Sequence, residues 1–190
     1  MSDPRLSALG VSLTDAFCRG LDRPAIRAAL ERHPSGGSTG ETLAAVWGIE
    51  DRALLERLAG LGLDREAIAA LALTPLVEVA WADGEVDRKE RAAVLEAAGR
   101  YGLARGDPSY GLLEIRLGER PGPELLATWK STLRMLQRTL DAPALRTLRG
   151  EVMARARRVA EASGGLLGLG ARISKAELAK LDDLEQSFLG

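Results

Sequence analysis

Carboxylate side chains are concentrated in the stretch AWADGEVDRKER, residues 80–91. Asp83, Glu85 and Asp87 alternate along the chain, and Glu90 follows three residues later. Carboxylate oxygens are the ligands that calcium and magnesium prefer, and the first three acids imitate positions 1, 3 and 5 of an EF-hand calcium loop. The spacing therefore raises the hypothesis of a divalent-metal site, the one cofactor for which the sequence offers candidate ligands.

An EF-hand is nevertheless not expected. Its turn position needs glycine and is Arg88 in this chain, and the position of its bidentate carboxylate is Val94. A looser metal site stays open, with Asp83, Asp87 and Glu90 as its candidate ligands. The alternative is structural, because Asp87 and Glu90 have the spacing of a capping box, which would begin a helix.

Other combinations of reactive side chains are weaker. Residues 36–40, GGSTG, match the pattern of a hydrolase nucleophile elbow, which needs a preceding strand and a later histidine. The segment before it is predicted to be helical, and the single histidine, His33, precedes it. The single cysteine, Cys18, has no evident base. Without a nucleophile and base set, we predict that the protein is not an enzyme.

The composition favours a helical protein in solution. Hydrophobic residues make up 46% of the 190 residues, enough for a sizeable core. The 26 basic and 27 acidic residues leave a net charge of −1, so no nucleic-acid partner is expected. No apolar run approaches the roughly 20 residues of a membrane span, and the N-terminus does not resemble a signal peptide. We expect a cytoplasmic protein that is not integral to a membrane, with peripheral association left open.

Helix start and stop signals divide the chain into short helices and predict an all-α fold. Asp64, Asp141 and Ser174 are predicted N-caps, and a first helix is predicted to begin at Ser12 or Thr14. Thr74-Pro75 also fits an N-cap followed by a first turn, so a new helix is predicted there. No segment alternates convincingly as a strand.

An internal repeat accompanies the acidic stretch. VAWADG at 79–84 leads into VDRKERAAVL, and VAEASG at 159–164 leads, after a glycine-rich insert, into ISKAELAKLDDL. Each copy combines a glycine that can end a helix with a Glu three residues after a cap residue. We therefore predict a helical bundle with an internal pseudo-repeat, in which each copy joins two helices.

The motif VAWADGEVDRKER resembles the TerB-like family, which is linked to tellurite resistance and is similar to the N-terminal domain of DjlA-type membrane co-chaperones. The second motif, VAEASGG followed by ISKAE, fits the same resemblance. It implies an all-helical TerB-like domain over residues 71–190 and leaves residues 1–70 as an N-terminal helical extension packed on that core. The family's acidic positions, suspected of binding a metal, correspond to Asp83, Glu90 and Glu177.

The resemblance implies a non-enzymatic interaction or stress-response module that acts through protein partners. Trp81 and Glu85 are its candidate interaction residues, because the second copy has no equivalent of either. The first alternative is a divalent-metal-binding helical domain that uses the acidic Asp-Gly joint. A further alternative is a regulatory domain of the co-chaperone type.

Overall fold

The computed structural model describes residues 3–21, 51–100, 108–164 and 173–189. These residues form eight α-helices and no strand, which confirms the all-α prediction. The helices are α1 (Pro4–Cys18), α2 (Arg52–Gly60), α3 (Arg65–Ala80), α4 (Arg88–Arg100), α5 (Pro108–Arg116), α6 (Pro123–Thr139), α7 (Ala142–Gly164) and α8 (Lys175–Gln186). His33, the GGSTG sequence and most of the glycine-rich insert of the second motif lie outside the described residues.

Helix α3 is the central element of the bundle. Every residue from Ala67 to Ala80 is buried, because apolar residues surround this helix instead of forming a single stripe. The helices α1, α5, α6, α7 and α8 all contact it. Because α3 runs across residue 70 and α1 packs on both α3 and α6, the described residues on each side of residue 70 share a core. The domain boundary placed there stays a prediction.

Helix α3 continues through Pro75, so the helix start predicted at Thr74 is wrong. Proline has no N–H to donate to the carbonyl of Leu71, and a proline inside a helix costs about 3 kcal/mol or more. The indole N–H of Trp129, on α6, donates to that carbonyl at 2.9 Å. The Thr74 hydroxyl donates back to the carbonyl of Ala70 at 2.6 Å instead of capping a new helix. A contact between helices thus supplies the donor that proline lacks.

Helix α1 begins well before Ser12 and Thr14, so its predicted start is also wrong. Its N-cap is Asp3, whose carboxylate accepts a hydrogen bond from the second residue of the helix. Gly10 is buried, and a Cβ atom there would lie 2.9 Å from Cδ2 of Leu63. This glycine allows a close approach between α1 and the chain entering α3, and it does not interrupt the helix.

Helix α8 is attached to three neighbouring helices by ion pairs and apolar side chains. The pairs to α3, α6 and α7 are Lys180–Glu78, Lys130–Asp183 and Arg149–Glu185. Leu181, Leu184 and Phe188 are buried beneath them, and the Phe188 ring meets the Trp129 ring edge-on with centroids 5.8 Å apart. Among the helices described, none has the length and apolar character that a membrane span requires.

Candidate functional site

The acidic joint, residues 81–90, connects α3 to α4. The last turn of α3 closes when the N–H of Trp81 donates to the carbonyl of Val77 at 3.0 Å and the N–H of Gly84 donates to the carbonyl of Trp81 at 3.0 Å. Gly84 has a φ of 99°, a left-handed conformation that side chains other than glycine adopt only under strain. The predicted left-handed conformation of Gly84 is confirmed, but the helix itself ends at Ala80 with Trp81 as its C-cap, and Gly84 closes the turn that follows.

Asp87 and Glu90 begin α4 with a reciprocal capping box. The Asp87 carboxylate accepts a hydrogen bond from the N–H of Glu90 at 2.8 Å, and the Glu90 carboxylate accepts one from the N–H of Asp87 at 2.9 Å. Val86, immediately before the cap, packs against the core as a hydrophobic staple does. The structural interpretation of these two acids is therefore correct, and both carboxylates are used by the backbone.

The second motif begins its helix in the same way. Ser174 and Glu177 form the predicted capping box at the start of α8, and the N–H of Ser174 donates to the Glu177 carboxylate at 2.7 Å. Ile173 precedes the cap and packs against the core as Val86 does. The joint between α7 and α8 is not described in full, so the pseudo-repeat as a whole stays a prediction.

Asp83 is exposed at the C-terminal end of α3, where the helix macrodipole disfavours a negative charge. Its carboxylate accepts a hydrogen bond from the N–H of Glu85 at 3.3 Å. The guanidinium of Arg120 lies against Gly84, with Nη1 3.5 Å from where a Cβ atom of that residue would be. The N–H of Glu85 therefore gives this carboxylate a backbone donor, and the Arg120 guanidinium lies beside the neighbouring Gly84.

Trp81 is half-buried and is held by the backbone of a neighbouring helix. Its indole N–H donates to the carbonyl of Arg116, at the end of α5, at 3.3 Å. This bond fixes the ring while leaving part of it accessible beside the exposed Glu85. The two candidate interaction residues, Trp81 and Glu85, therefore sit in the same joint, one anchored by a hydrogen bond and the other directed into solvent.

Arg116 itself was missed by sequence reasoning. Its side chain is 1% exposed and donates to the carbonyls of Phe17 and Arg19 at the end of α1, the latter at 3.0 Å. Burial lowers the pKa of this guanidinium, and its Nε is buried without a hydrogen-bond partner among the residues described. The available signal was its spacing, because Arg116 follows Leu112 and Leu113 on the apolar face of α5.

The carboxylates of the joint act on the protonation of Glu90. Burial raises the pKa of Glu90, the hydrogen bond from the backbone of Asp87 opposes this, and the negative charges of Asp87, Asp83 and Glu177 raise the pKa further. Glu177 comes from α8, so the fold brings the second motif's acid within electrostatic reach of the first motif. The resemblance had pointed to three of these four acids, Asp83, Glu90 and Glu177.

Proximity does not make this cluster a formed metal centre. Within residues 3–21, 51–100, 108–164 and 173–189, no group of three or more His, Cys, Asp or Glu side chains is arranged to hold a metal ion. Val94, at the ligand position of an EF-hand, is fully buried in the core. What the joint presents to solvent is a short row of carboxylates, Asp83, Glu85 and Asp87, on a backbone that is fixed at both ends.

Such a row can attract a cation or a basic segment of another protein, because surface carboxylates that have no ion pair among the described residues create a local negative potential. Arg88 and Lys89 are exposed at the start of α4 and limit that potential on one side.

No family model matches the chain, and neither a curated protein nor a solved structure is significantly similar to it.

Proposed function

We propose that this chain is a non-enzymatic, TerB-like interaction module of the stress-response type, located in the cytoplasm and acting through a protein partner. The observation that carries the proposal is the exposed row of carboxylates at the acidic joint, next to the half-buried ring of Trp81. Aromatic residues are enriched at binding surfaces, and exposed charges beside them steer a partner of opposite charge. The complementary partner would present a basic segment and an apolar side chain.

Affinity capture from the native cell tests this proposal. The full chain and the double variant Asp83→Asn/Glu85→Gln are used as baits under the same conditions. We expect at least one protein to be retained by the native chain and lost from the variant. The control is Glu161→Gln/Asp182→Asn, which removes the same charge from exposed positions on α7 and α8. Equal retention by all three baits would show that the acidic joint is not the binding surface.

A divalent-metal-binding domain is the second candidate. The observation in its favour is that burial raises the pKa of Glu90 and that the negative charges of Asp87, Asp83 and Glu177 raise it further. A bound cation would relieve this repulsion and stabilise the folded state in proportion to its concentration. The cation would have to compete with the backbone N–H groups that already donate hydrogen bonds to all four of these carboxylates.

Calorimetric titration with calcium, magnesium, zinc and manganese, together with melting temperatures, separates the two candidates. Binding that raises the melting temperature and weakens in Asp83→Asn would support the metal site. If no ion changes the melting temperature of the native chain, the metal site is excluded while partner capture is unaffected. A chaperone among the captured proteins would instead favour the co-chaperone type of regulatory domain, and a tellurite-sensitive phenotype would connect the module to tellurite resistance.

A further inference from the structure

A second surface lies at the far end of α8 from the acidic joint. It is an open groove of about 330 Å³ between the end of α6, the start of α7 and the chain after α8. We call it the arginine groove, and it is lined by Arg134, Gln137, Arg138, Leu145, Phe188 and Leu189. The 12 residues of α8 separate the two surfaces by about 18 Å of helix.

Two arginines and a glutamine form the polar lining of the arginine groove. Arg134 and Arg138 lie one turn apart on α6, both exposed, and neither forms an ion pair with a carboxylate in the described part of the chain. Within the residues that the structure describes, the hydrogen bond of the Arg134 guanidinium goes to the hydroxyl of Ser131, at 3.0 Å. The side-chain amide of Gln137 donates to the carbonyl of Ser187 at 3.0 Å, which fixes the groove to the end of α8.

These arginines differ from the other cations that face α8. Lys130, Lys180 and Arg149 each pair with a carboxylate. A guanidinium presents a planar fork of donors that matches a carboxylate, so two adjacent forks that have no ion pair among the described residues complement an acidic ligand. The charge of the groove therefore identifies the class of ligand as anionic.

The apolar lining and the size of the groove also limit which ligands fit it. Leu189 is 59% exposed, one of three large hydrophobic side chains that are exposed in the described part of the chain. It lines the groove with the buried ring of Phe188 and the partly buried Leu145. Small-molecule sites span about 300–1,000 Å³ and enclose most of their ligand. A groove at the lower limit of that range, and open to solvent, instead fits a few side chains of a longer segment.

We propose that the arginine groove binds a short acidic segment of a partner protein, with carboxylates on Arg134 and Arg138 and an apolar side chain against Leu145 and Leu189. This surface is distinct from the acidic joint and attracts segments of the opposite charge. The proposed function can therefore fail without affecting this inference, and the reverse also holds.

The test is selection from a random 12-residue peptide display library on the immobilised full chain, followed by titration of the selected peptides. We expect enrichment of peptides with two or more acidic residues beside a leucine or aromatic residue. Their affinity should fall at least tenfold in Arg134→Glu/Arg138→Glu. The matched control is Arg157→Glu/Lys175→Glu, which makes the same charge change at exposed positions on α7 and α8 far from the groove. Circular dichroism and melting temperature confirm that both variants fold.

Amide chemical shifts of the native chain on addition of the best peptide locate the contact, and we expect changes at residues 134–145 and 187–189. Absence of enrichment, enrichment of peptides that are not acidic, or equal binding by the groove variant would overturn the proposal. So would shifts confined to the acidic joint. A parallel arm uses vesicles of phosphatidylserine and phosphatidylcholine: binding to vesicles that depends on the same two arginines, without peptide binding, would assign the groove to a membrane surface.

Discussion

The indole N–H of Trp129 donates to the carbonyl of Leu71, the one carbonyl of α3 that Pro75 deprives of its helical donor. Leaving a buried carbonyl without a hydrogen-bond donor costs the protein about 1–3 kcal/mol of stability. The bond from Trp129 avoids this cost, because it satisfies a group that the helix cannot satisfy by itself. It also fixes the position of α6 along α3. Because the acidic joint follows directly after α3, the same bond also helps to fix the position of the joint relative to α6.

We expect Trp129→Phe to lower the free energy of unfolding by about 2–4 kcal/mol, through the lost hydrogen bond and the smaller ring in the core. In a Pro75→Ala background, alanine supplies an N–H to the carbonyl of Leu71. Trp129→Phe should therefore cost about 1 kcal/mol less in that background than in the native chain. Urea unfolding followed by circular dichroism measures this cycle. Trp81→Phe serves as the control and should be additive with Pro75→Ala. Additive effects of Trp129→Phe and Pro75→Ala would show that the indole does not replace the missing donor.

Arg116→Met tests the attachment of α1. The substitution keeps much of the side-chain volume but leaves the carbonyls of Phe17 and Arg19 without their donor, so we expect a loss of about 2–3 kcal/mol. Arg116→Lys should recover only part of it, because an ammonium cannot reproduce the planar fork that reaches both carbonyls. Arg157→Met, at an exposed position, should change stability by no more than about 0.5 kcal/mol. Equal stabilities of the Arg116 and Arg157 variants in chemical denaturation would refute the role given to Arg116.

Gly84→Ala tests the geometry of the acidic joint. A Cβ atom at this φ is strained whatever the space around it, so we expect a loss of about 1–2 kcal/mol. Gly150→Ala is the matched control in the interior of α7, where a Cβ atom would meet nothing within 4 Å, and it should gain about 0.5–1 kcal/mol. Melting temperatures of the two variants should therefore move in opposite directions. A joint that tolerates alanine at position 84 without loss would have a different backbone from the one described.

Glu90→Gln tests the electrostatics of the joint through pH. The folded-state pKa of Glu90 is raised above its ordinary value of 4.5, chiefly by burial. Between the ordinary pKa of the unfolded state and the raised pKa of the folded state, the folded protein binds more protons than the unfolded protein. The contribution of Glu90 to stability therefore falls as pH rises through this window. The amide of glutamine can still accept the hydrogen bond from Asp87 but carries no charge.

We therefore expect Glu90→Gln to gain stability relative to the native chain near pH 7, and this gain to disappear below about pH 4, where the carboxyl is protonated in both states. Unfolding midpoints across the pH range measure the difference, with Glu161→Gln on α7 as a control for general charge effects. A loss of stability at neutral pH that divalent ions enlarge would instead favour the metal site.

The starts of several helices could be predicted from the sequence because capping is local. Asp64 and Asp141 each accept a hydrogen bond from an N–H three residues later, at 2.8 and 2.9 Å. The Asp87–Glu90 and Ser174–Glu177 boxes close over the same distance in sequence. Such signals depend on residues that are only a few positions apart in the sequence.

The errors arose where a distant residue decides the local structure. The continuity of α3 through Pro75 depends on Trp129, and the close packing of Gly10 depends on Leu63. Arg116 looks like an ordinary surface charge until α1 supplies two carbonyls for it. The candidate site could be located, because its acids are adjacent in sequence, but its extension to Glu177 was available only through the resemblance.

Helix α8 also has a consequence for synthesis of the protein. Its buried side chains, ending with Phe188 against Trp129, cover surfaces of α3, α6 and α7 that are made earlier on the ribosome. Those surfaces remain open until residue 188 has emerged, and open apolar surfaces of incomplete chains are prone to aggregate. The ion pairs that hold α8 against α3, α6 and α7 can form only after all three of these helices have been made and α8 itself has emerged.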